Sequence, residues 1–223
     1  MFTLLIKRLF AETADDTITP QNLPESIVWY SLVATYGIYC LGGLYVLGPA
    51  LAWILFAYVL KEQWGLFRQG QTRYLLSLHW VLWLWFVGMA IEYLALYIGH
   101  MNFDLGLTTT IKSSIGWARG WALMAIFPIL GSCLPIRPKL LYRAACVIAL
   151  HSLLVVPLLY GAYLISWEPL LYTSPLKAVG GGGDLFFQVR LYSIDGEGNA
   201  RWAFFCPWGP AAGMMGNIYF FLA

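Results

Sequence analysis

The sequence predicts an all-α polytopic membrane protein with about five to six transmembrane helices and a small outward-facing β-hairpin segment. Hydrophobic residues make up 60% of the 223 residues and charged residues only 11%, whereas soluble chains carry about 25% charged residues. Thirteen Lys+Arg and eleven Asp+Glu residues are too few to cover a globule of this size in water. Uncharged runs of about 20 residues are typical of helices that cross a bilayer, so the excess apolar surface is predicted to face lipid.

Several other classes of protein are excluded by the same composition. No basic run resembles a nucleic-acid-binding arm, so we expect no nucleic-acid partner. The four cysteines form no C-x-x-C motif, which argues against a disulfide scaffold and a cysteine metal site. Walker A, Rossmann, H-E-x-x-H and nucleophile-elbow signatures are absent from the sequence. We therefore expect neither a metal nor a cofactor.

The first part of the predicted bundle is an unusually long uncharged run. Residues 1–26 precede it and are predicted to form an N-terminal amphipathic surface segment. The run Ile27–Leu60 has about 34 residues, or ~50 Å of helix, which exceeds a ~30 Å hydrocarbon core. Gly42-Gly43 and Pro49 lie near its middle, where a turn costs little. This favours two helices over one long kinked helix, which stays open as the alternative.

The transmembrane bundle is predicted to occupy residues 27–167, followed by an outer polar segment at 168–207 and the start of a truncated transmembrane helix at 208–223. The predicted spans cover about 27–43, 45–60, 74–99, 113–134 and 140–167. Within the outer segment, Leu185–Ile194 is rich in β-formers and Asp195–Asn199 is a strong turn cluster. A return strand at Arg201–Phe205 would complete a hairpin.

The distribution of basic residues predicts the orientation of the bundle. One short loop contains Lys61, Arg68 and Arg73, and the turn region after residue 134 contains Arg137, Lys139 and Arg143. The loop between those two carries Lys112 alone. Because excess Lys and Arg in short loops marks the cytoplasmic side, residues 100–112 and 168–207 are predicted to face the periplasm or an equivalent compartment.

Two charged residues inside apolar runs are candidate site residues, because a charge in hydrocarbon costs several kcal/mol. Glu92 lies eight residues before His100, and Arg119 lies seven residues after Lys112. Their depths match on antiparallel helices, so an ion pair between them is predicted. The pair either fixes helix packing or lines a polar pocket that opens outward, and both interpretations remain open.

Four cations on the predicted outer side form a candidate anion-binding site. Lys112 and Arg119 are seven residues apart, which places them on one helical face. Arg119 offers a planar fork to phosphate oxygens, and Arg190 and Arg201 lie in the predicted outer segment. The simpler alternative is that Gly116 and Gly120 serve helix packing and that Lys112 extends to the interface.

Three stretches resemble the cyanobacterial branch of the O-antigen ligase and O-antigen polymerase family, in its N-terminal part. The first is Asp104-Leu-Gly followed by Ile111-Lys-Ser-Ser-Ile-Gly-Trp-Ala-Arg-Gly-Trp121. The second is Tyr172-Thr-Ser-Pro-Leu-Lys-Ala-Val-Gly180. The third is Arg201-Trp-Ala-Phe-Phe-Cys-Pro-Trp-Gly-Pro-Ala-Ala-Gly213, ending with Asn217. It is similar to the family's outer-side arginine followed by a Pro/Gly-rich start of the next helix.

The resemblance implies a multi-pass glycosyltransferase of the bacterial inner membrane. Such proteins take a glycan from a polyprenyl-diphosphate carrier and pass it to an acceptor glycan or glycolipid on the periplasmic side, without a nucleotide sugar or an obligatory metal. Arg201 matches the family pattern best as a residue that binds the diphosphate or glycan. Arg119, Lys112 and Arg190 are assigned to the same site by their placement, and the catalytic residue is unknown.

The family is longer and has further spans and a large periplasmic loop with a histidine proposed as general base. The apolar run that begins at Trp208 has too few residues to cross a bilayer, so we expect an N-terminal fragment, a split gene product or a truncated form that is inactive alone. Two alternatives are a non-enzymatic accessory subunit of a membrane complex and part of a transporter, with Glu92 and Arg119 on the path.

Overall fold

The computed structural model describes residues 19–70, 79–180, 183–207 and 209–222, and this part of the chain is mostly helical. Its helices are α1 Leu23–Val33, α2 Thr35–Cys40, α3 Leu44–Arg68, α4 Trp80–Asn102, α5 Gly106–Arg119, α6 Leu123–Cys133, α7 Pro138–Leu164, α8 Lys177–Gly180 and α9 Gly209–Leu222. Its strands are β1 Leu170–Thr173, β2 Gln188–Arg190, β3 Ser193–Ile194 and β4 Ala200–Arg201. A 3-10 turn at Asp184–Phe187 precedes β2.

Three of the described helices, α3, α4 and α7, are long and apolar enough to cross a membrane. This agrees with the predicted class of helical membrane protein, but the described residues do not supply the predicted five to six spans. The difference arises because the predicted spans at 27–43 and 113–134 are each divided into two shorter helices, the first at Ala34 and the second at Gly120–Ala122. The predicted amphipathic segment falls mostly on residues 1–18, which lie outside the described residues.

The uncharged run 27–60 is divided at a turn formed by Leu41–Gly43, so the structure has two helical parts there and not one kinked helix. Gly42 adopts φ +66°, a conformation that L side chains rarely take. The first part is itself interrupted at Ala34, where α1 ends. The second part, α3, continues to Arg68, so the predicted end at residue 60 is wrong. The residues after position 60 include Lys, Glu, Gln and Leu. These are good helix formers, so the helix continues beyond the apolar stretch.

The span predicted at 74–99 is shifted towards the C-terminus. Helix α4 begins at Trp80, with His79 as its N-terminal cap, and ends at Asn102; residues 74–78 lie outside the described part of the chain. The polar connection predicted at 100–112 shrinks to Phe103–Leu105. Asp104 and Gly106 have positive φ angles, which lets the chain reverse within these few residues before α5 begins.

The single span predicted at 113–134 is wrong, because the structure has two helices over this region. Helix α5 ends at Arg119 and α6 begins at Leu123, and neither has the roughly 20 residues that a spanning helix needs. Gly120 caps the end of α5, and glycine is a weak helix former that favours such an ending. Helix α5 is amphipathic. Polar residues lie on one of its faces, and the other face carries Leu107, Ile111 and Ile115.

The turn predicted after residue 134 is present between α6 and α7 and ends at Arg137, since Pro138 and Lys139 belong to α7. Leu134 and Arg137 have extended backbones, and Arg137 immediately precedes Pro138 at the first position of α7, as expected from the restriction that proline places on the preceding residue. Helix α7 covers 138–164, two residues earlier at its start than the predicted span and three residues earlier at its end.

The outer polar segment contains two small antiparallel sheets in place of the one predicted hairpin. Strands β3 and β4 pair across the turn at Asp195–Asn199, where the hairpin was predicted. The stretch Leu185–Ile194 is not a single strand, because its first residues form the 3-10 turn and β2 pairs with β1 instead. The return strand ends at Arg201 and does not reach Phe205, since Phe204 adopts φ +52°.

The chain divides into two units. The described part of unit 1 comprises residues 19–36, 136–169, 191–207 and 209–222, and that of unit 2 comprises residues 37–70, 79–135, 170–180 and 183–190. In unit 1, α1 and α9 pack on α7. In unit 2, α3 packs on α6, and α4 packs on α5 and α6. Buried alanines such as Ala52, Ala125 and Ala144 bring helix backbones close together, as is usual in membrane helix packing.

Candidate functional site

Arg201 lies in unit 1 at the end of the β3–β4 hairpin. Its Nε donates to Oδ2 of Asp195 at 3.2 Å, and the arginine side chain is 58% exposed. The other Asp195 oxygen accepts from the backbone N–H groups of Asn199 and Glu197. These hydrogen bonds hold the pKa of Asp195 below its usual range, and the bond from the Asn199 N–H has the largest effect. The turn thus supplies a fixed anion that orients the Arg201 side chain.

The first residue of α9 lies directly beside Arg201. A Cβ placed on Gly209 would lie 3.6 Å from Cβ and 3.9 Å from Cδ of Arg201. The N-terminus of a helix presents unpaired N–H groups and a partial positive charge. Neither terminal nitrogen of Arg201, Nη1 or Nη2, has a hydrogen-bond partner among the described residues. The hairpin therefore places an exposed arginine fork at a helix N-terminus, an arrangement that suits an anion.

The segment between Arg201 and α9 is anchored by burial. Ala203 and Cys206 are buried, and the N–H of Cys206 donates to the carbonyl oxygen of Ala203 at 2.8 Å. Burial raises the pKa of the Cys206 thiol to about 11, which disfavours the thiolate that a nucleophilic cysteine needs.

A cavity of about 380 Å³ lies between α7 and α9 in unit 1. Its wall is mainly apolar, with Ala149, Phe204, Met215 and Phe220 among its residues, and Ser152 contributes a hydroxyl. Tyr36 Oη donates to Ser152 Oγ at 2.8 Å, and Ser152 Oγ in turn donates to a backbone carbonyl. The sequence analysis did not single out these two hydroxyl groups. Their signal is weak, because single Tyr and Ser residues are common in apolar helices.

The structure does not pair Glu92 with Arg119. The ion pairs among the described residues join Glu25 to Arg137, Lys177 to Asp184 and Asp195 to Arg201. Glu92 Oε2 is buried and has no hydrogen-bond partner in the described part of the chain. The guanidinium of Arg119 lies over the ring of Tyr45, 5.4 Å from its centre. Because α5 stops at Arg119, this side chain lies beside the start of α3.

Arg119 lines a groove of about 320 Å³ between α3 and α5 in unit 2. The groove is otherwise lined by Val46, Pro49, Ala50, Trp53, Ile115 and Ala118. Trp53 Nε1 donates to the carbonyl oxygen of Ala118 at 2.9 Å, which joins the two helices. The Tyr45 ring also stacks on Phe186 with centres 4.6 Å apart. One cation thus lies beside an otherwise apolar groove.

The two remaining predicted site residues have different surroundings. Lys112 is exposed on α5. Arg190 belongs to β2, and Tyr39 Oη both accepts from the Arg190 N–H and donates to its carbonyl oxygen, each at 2.8 Å. The Arg190 guanidinium donates to Gln188 Oε1, while its Nε is buried without a partner among the described residues. Lys112, Arg119 and Arg190 belong to unit 2, and Arg201 belongs to unit 1.

Arg137, which is among the basic residues used to predict the orientation, has a structural role that was not predicted from the sequence. Its guanidinium forms an ion pair with the fully buried Glu25 at 2.8 Å. Asn22 caps α1 by accepting from the N–H of Glu25. The spacing Asn22-x-x-Glu25 followed by an apolar run is a capping signature that can be read from the sequence. The partner Arg137 carries no such local signal.

Within the described residues, no group of three or more His, Cys, Asp or Glu side chains is placed to hold a metal ion. Comparison of the chain with protein-family models, with curated proteins and with solved structures finds no match.

Proposed function

We propose that the chain is the N-terminal portion of an integral-membrane glycan ligase or polymerase. Such a ligase or polymerase takes a glycan linked to a polyprenyl diphosphate and passes it to an acceptor glycan or glycolipid on the periplasmic side of a bacterial inner membrane, and we expect this portion to be inactive alone. The observation that carries the proposal is the exposed Arg201 fork beside the first residue of the apolar helix α9. A lipid-linked diphosphate needs such a cationic site next to a membrane helix.

The chemistry of glycan transfer explains why an arginine is needed there. The bond between the sugar carbon and the diphosphate oxygen breaks, and the diphosphate keeps the electron pair while the acceptor hydroxyl oxygen bonds to the sugar carbon. Arg201 and the N-terminus of α9 stabilise the charge that develops on the leaving diphosphate. Asp195 positions the arginine. The base that receives the hydroxyl proton is not assigned to a residue of this chain.

The other predicted cations remain candidates for binding the charged parts of the glycan carrier. Lys112 is exposed on α5, Arg119 lies beside Tyr45, and Arg190 belongs to β2.

The proposal predicts that the purified chain discriminates between polyprenyl diphosphate, polyprenyl phosphate and polyprenol in detergent. We expect affinity to fall in that order, because each lost phosphate removes charge-assisted hydrogen bonds. Arg201→Ala is expected to weaken diphosphate binding about tenfold, the loss of roughly one such bond. Arg201→Lys should restore part of the affinity, because lysine keeps the charge but loses the fork.

The matched control is Arg68→Ala, which removes an exposed arginine at the end of α3 and should leave binding unchanged. Melting curves of each variant verify the fold. Equal affinity for polyprenol and its diphosphate, or unchanged binding by Arg201→Ala, would contradict the proposal. A chain that binds none of the three lipids but copurifies with one membrane protein would instead support an accessory subunit.

A further inference from the structure

A serine and a histidine on neighbouring helices of unit 2 form a pair that the proposed function does not use. Helix α4 packs on α5, and Ser113 Oγ on α5 lies 2.9 Å from Nε2 of His100 on α4. We propose that His100 activates Ser113 as a nucleophile that accepts an acyl group from an ester at the membrane border. This inference goes beyond glycan transfer, because it concerns other residues and another reaction.

The hydrogen bonds of His100 determine which of its ring nitrogens carries the hydrogen. Nδ1 lies 2.8 Å from the carbonyl oxygen of Leu96, and a carbonyl oxygen can only accept. In the neutral ring, Nδ1 therefore carries the hydrogen, and the lone pair of Nε2 accepts from the Ser113 hydroxyl group. A histidine that is oriented by a third group and accepts from a serine hydroxyl is the arrangement that activates serine nucleophiles.

The hydroxyl group of Ser113 points differently from those of other serines in the described helices. A serine inside a helix often donates to the carbonyl oxygen four residues earlier, and Ser114, Ser132 and Ser152 all do so. Ser113 donates instead to His100 on the neighbouring helix. Its proton is thus directed at a base, and its oxygen lone pairs are left for an electrophile.

The pair lies at the level where membrane lipids carry their ester groups. His100 is the third residue from the C-terminal end of α4, a helix of 23 residues that is apolar enough to cross a membrane. A helix of this length covers ~35 Å, slightly more than a ~30 Å hydrocarbon core. The last turn of a membrane-spanning α4 therefore lies at the border between hydrocarbon and head groups, where the acyl esters of lipids are found.

The surroundings of the pair allow a substrate to approach and supply a cation. His100 and Ser113 are partly buried, and the neighbouring Lys112 is exposed. Lys112 takes part in none of the ion pairs among the described residues. Attack on an ester carbonyl places negative charge on its oxygen, and a nearby ammonium group stabilises that charge. We assign this role to Lys112.

The acyl transfer balances within the pair and its substrate. Ser113 Oγ forms a bond to the ester carbonyl carbon, while Nε2 of His100 takes the hydroxyl proton. The bond from that carbon to the alcohol oxygen then breaks, the oxygen keeps the electron pair, and His100 returns the proton to the leaving alcohol. Water or an acceptor hydroxyl group, deprotonated by His100, attacks the acyl-serine and releases Ser113.

The inference is tested with the full chain in phosphatidylcholine nanodiscs and a fluorophosphonate probe, which reacts with activated serine hydroxyl groups. We expect peptide mapping to find the probe on Ser113. His100→Gln should slow this labelling about a hundredfold, the lower end of what a general base contributes, and Ser113→Ala should abolish it. The matched control Ser114→Ala removes the adjacent hydroxyl group, which donates within its own helix, and should be labelled like the wild type.

An activated ester tests the acyl transfer itself. The chain is mixed with p-nitrophenyl decanoate, and we expect release of p-nitrophenol together with a decanoyl group on Ser113 in the mass spectrum. Lys112→Ala should slow the release, since it removes the cation assigned to the oxyanion. Release of p-nitrophenol at the same rate by Ser113→Ala would show that another group reacts.

Two results would overturn the inference. Absence of the probe from Ser113 in the folded wild-type chain would show that the hydrogen bond only joins α4 to α5. Equal labelling of the wild type and a folded His100→Gln would show that the histidine does not act as a base. Because the first result needs no variant, it remains informative even where a substitution prevents folding. Arg201→Ala should be labelled like the wild type, so a failure of the proposed function and a failure of this inference are separate outcomes.

Discussion

At the scale of single residues, Glu25 is a buried carboxylate at the first turn of α1 with four hydrogen-bond donors around it. Its oxygens accept from the backbone N–H groups of Gln21 and Arg137 and from Nε and Nη2 of the Arg137 side chain. Arg137 also donates to the carbonyl oxygen of Thr19. The pair therefore ties the chain before α1 to the start of α7 within unit 1.

The bonds around Glu25 predict a specific dependence of stability on pH. The side-chain hydrogen bond from Arg137, followed by the N–H of Gln21, lowers the pKa of Glu25 from 4.5 to about 2. Because the folded-state pKa lies below that of the unfolded chain, the stabilisation is complete above about pH 4.5 and is lost as the pH falls towards about 2. At about pH 7, Glu25→Gln is expected to lower the melting temperature in detergent by several degrees.

The difference in melting temperature between the wild type and Glu25→Gln should shrink as the pH is lowered from about 7 to about 3. Glu62→Gln, at an exposed position on α3, is the matched control and should melt like the wild type throughout. A difference that stays constant over this pH range would show that the Glu25 carboxylate does not carry the effect.

At the scale of elements, the turn between α2 and α3 is fixed by close packing on the outer segment of unit 2. Ser174 is buried, and its Oγ donates to the carbonyl oxygen of Leu41 at 2.9 Å. A Cβ on Gly42 would lie only 2.3 Å from Ser174 Cβ. The positive φ of Gly42 adds backbone strain for any other residue, so this position accepts glycine alone.

Gly42→Ala is therefore expected to destabilise the protein by more than about 1 kcal/mol. The double variant Gly42→Ala with Ser174→Gly should recover part of the loss, because it removes the atoms that the new methyl group meets. Gly48→Ala is the matched control, since a Cβ there has open space inside α3 and alanine is the better helix former by about 1 kcal/mol. Thermal melts of the purified chain compare the four proteins, and equal stabilities of the Gly42 and Gly48 variants would contradict the packing argument.

The elements also show which features a sequence can specify. The turn at Asp195–Asn199 was predictable because all its hydrogen bonds are local, and Gly42-Gly43 marked the break before α3. The break at Gly120 was missed because the sequence of a largely apolar run is the same in character whether its helix is continuous or interrupted. The contact of Arg119 with Tyr45 and that of Arg137 with Glu25 join residues far apart in the sequence. No local pattern encodes such pairs. Glu92 was therefore predicted as the partner of Arg119 from its matching depth, whereas packing places Arg119 over Tyr45.

At the scale of the whole molecule, we expect the few charges of the chain to serve orientation as well as binding. In unit 2, the second half of α3 and the end of α6 lie side by side, since Glu62, Leu66, Leu134 and Pro135 line one cavity. The basic C-terminal part of α3, with Lys61 and Arg68, and the turn after α6 therefore lie at the same end of this unit. This arrangement supports the prediction that both basic regions share one side of the membrane, which we propose is the cytoplasmic side.

Single-cysteine labelling tests this orientation in a chain whose four native cysteines are replaced. A membrane-impermeant maleimide applied to cells with a permeabilised outer membrane should label cysteines placed at Asp104 and Glu197, which lie between α4 and α5 and in the β3–β4 turn. Cysteines at Glu62 and Gln69 should react only after the inner membrane is lysed, because the positive-inside rule places the end of α3 in the cytoplasm. Labelling of Glu62 and Asp104 from the same side would refute the orientation. Labelling of Glu197 from the cytoplasm would remove Arg201 from the periplasmic face and with it the proposed glycan transfer there.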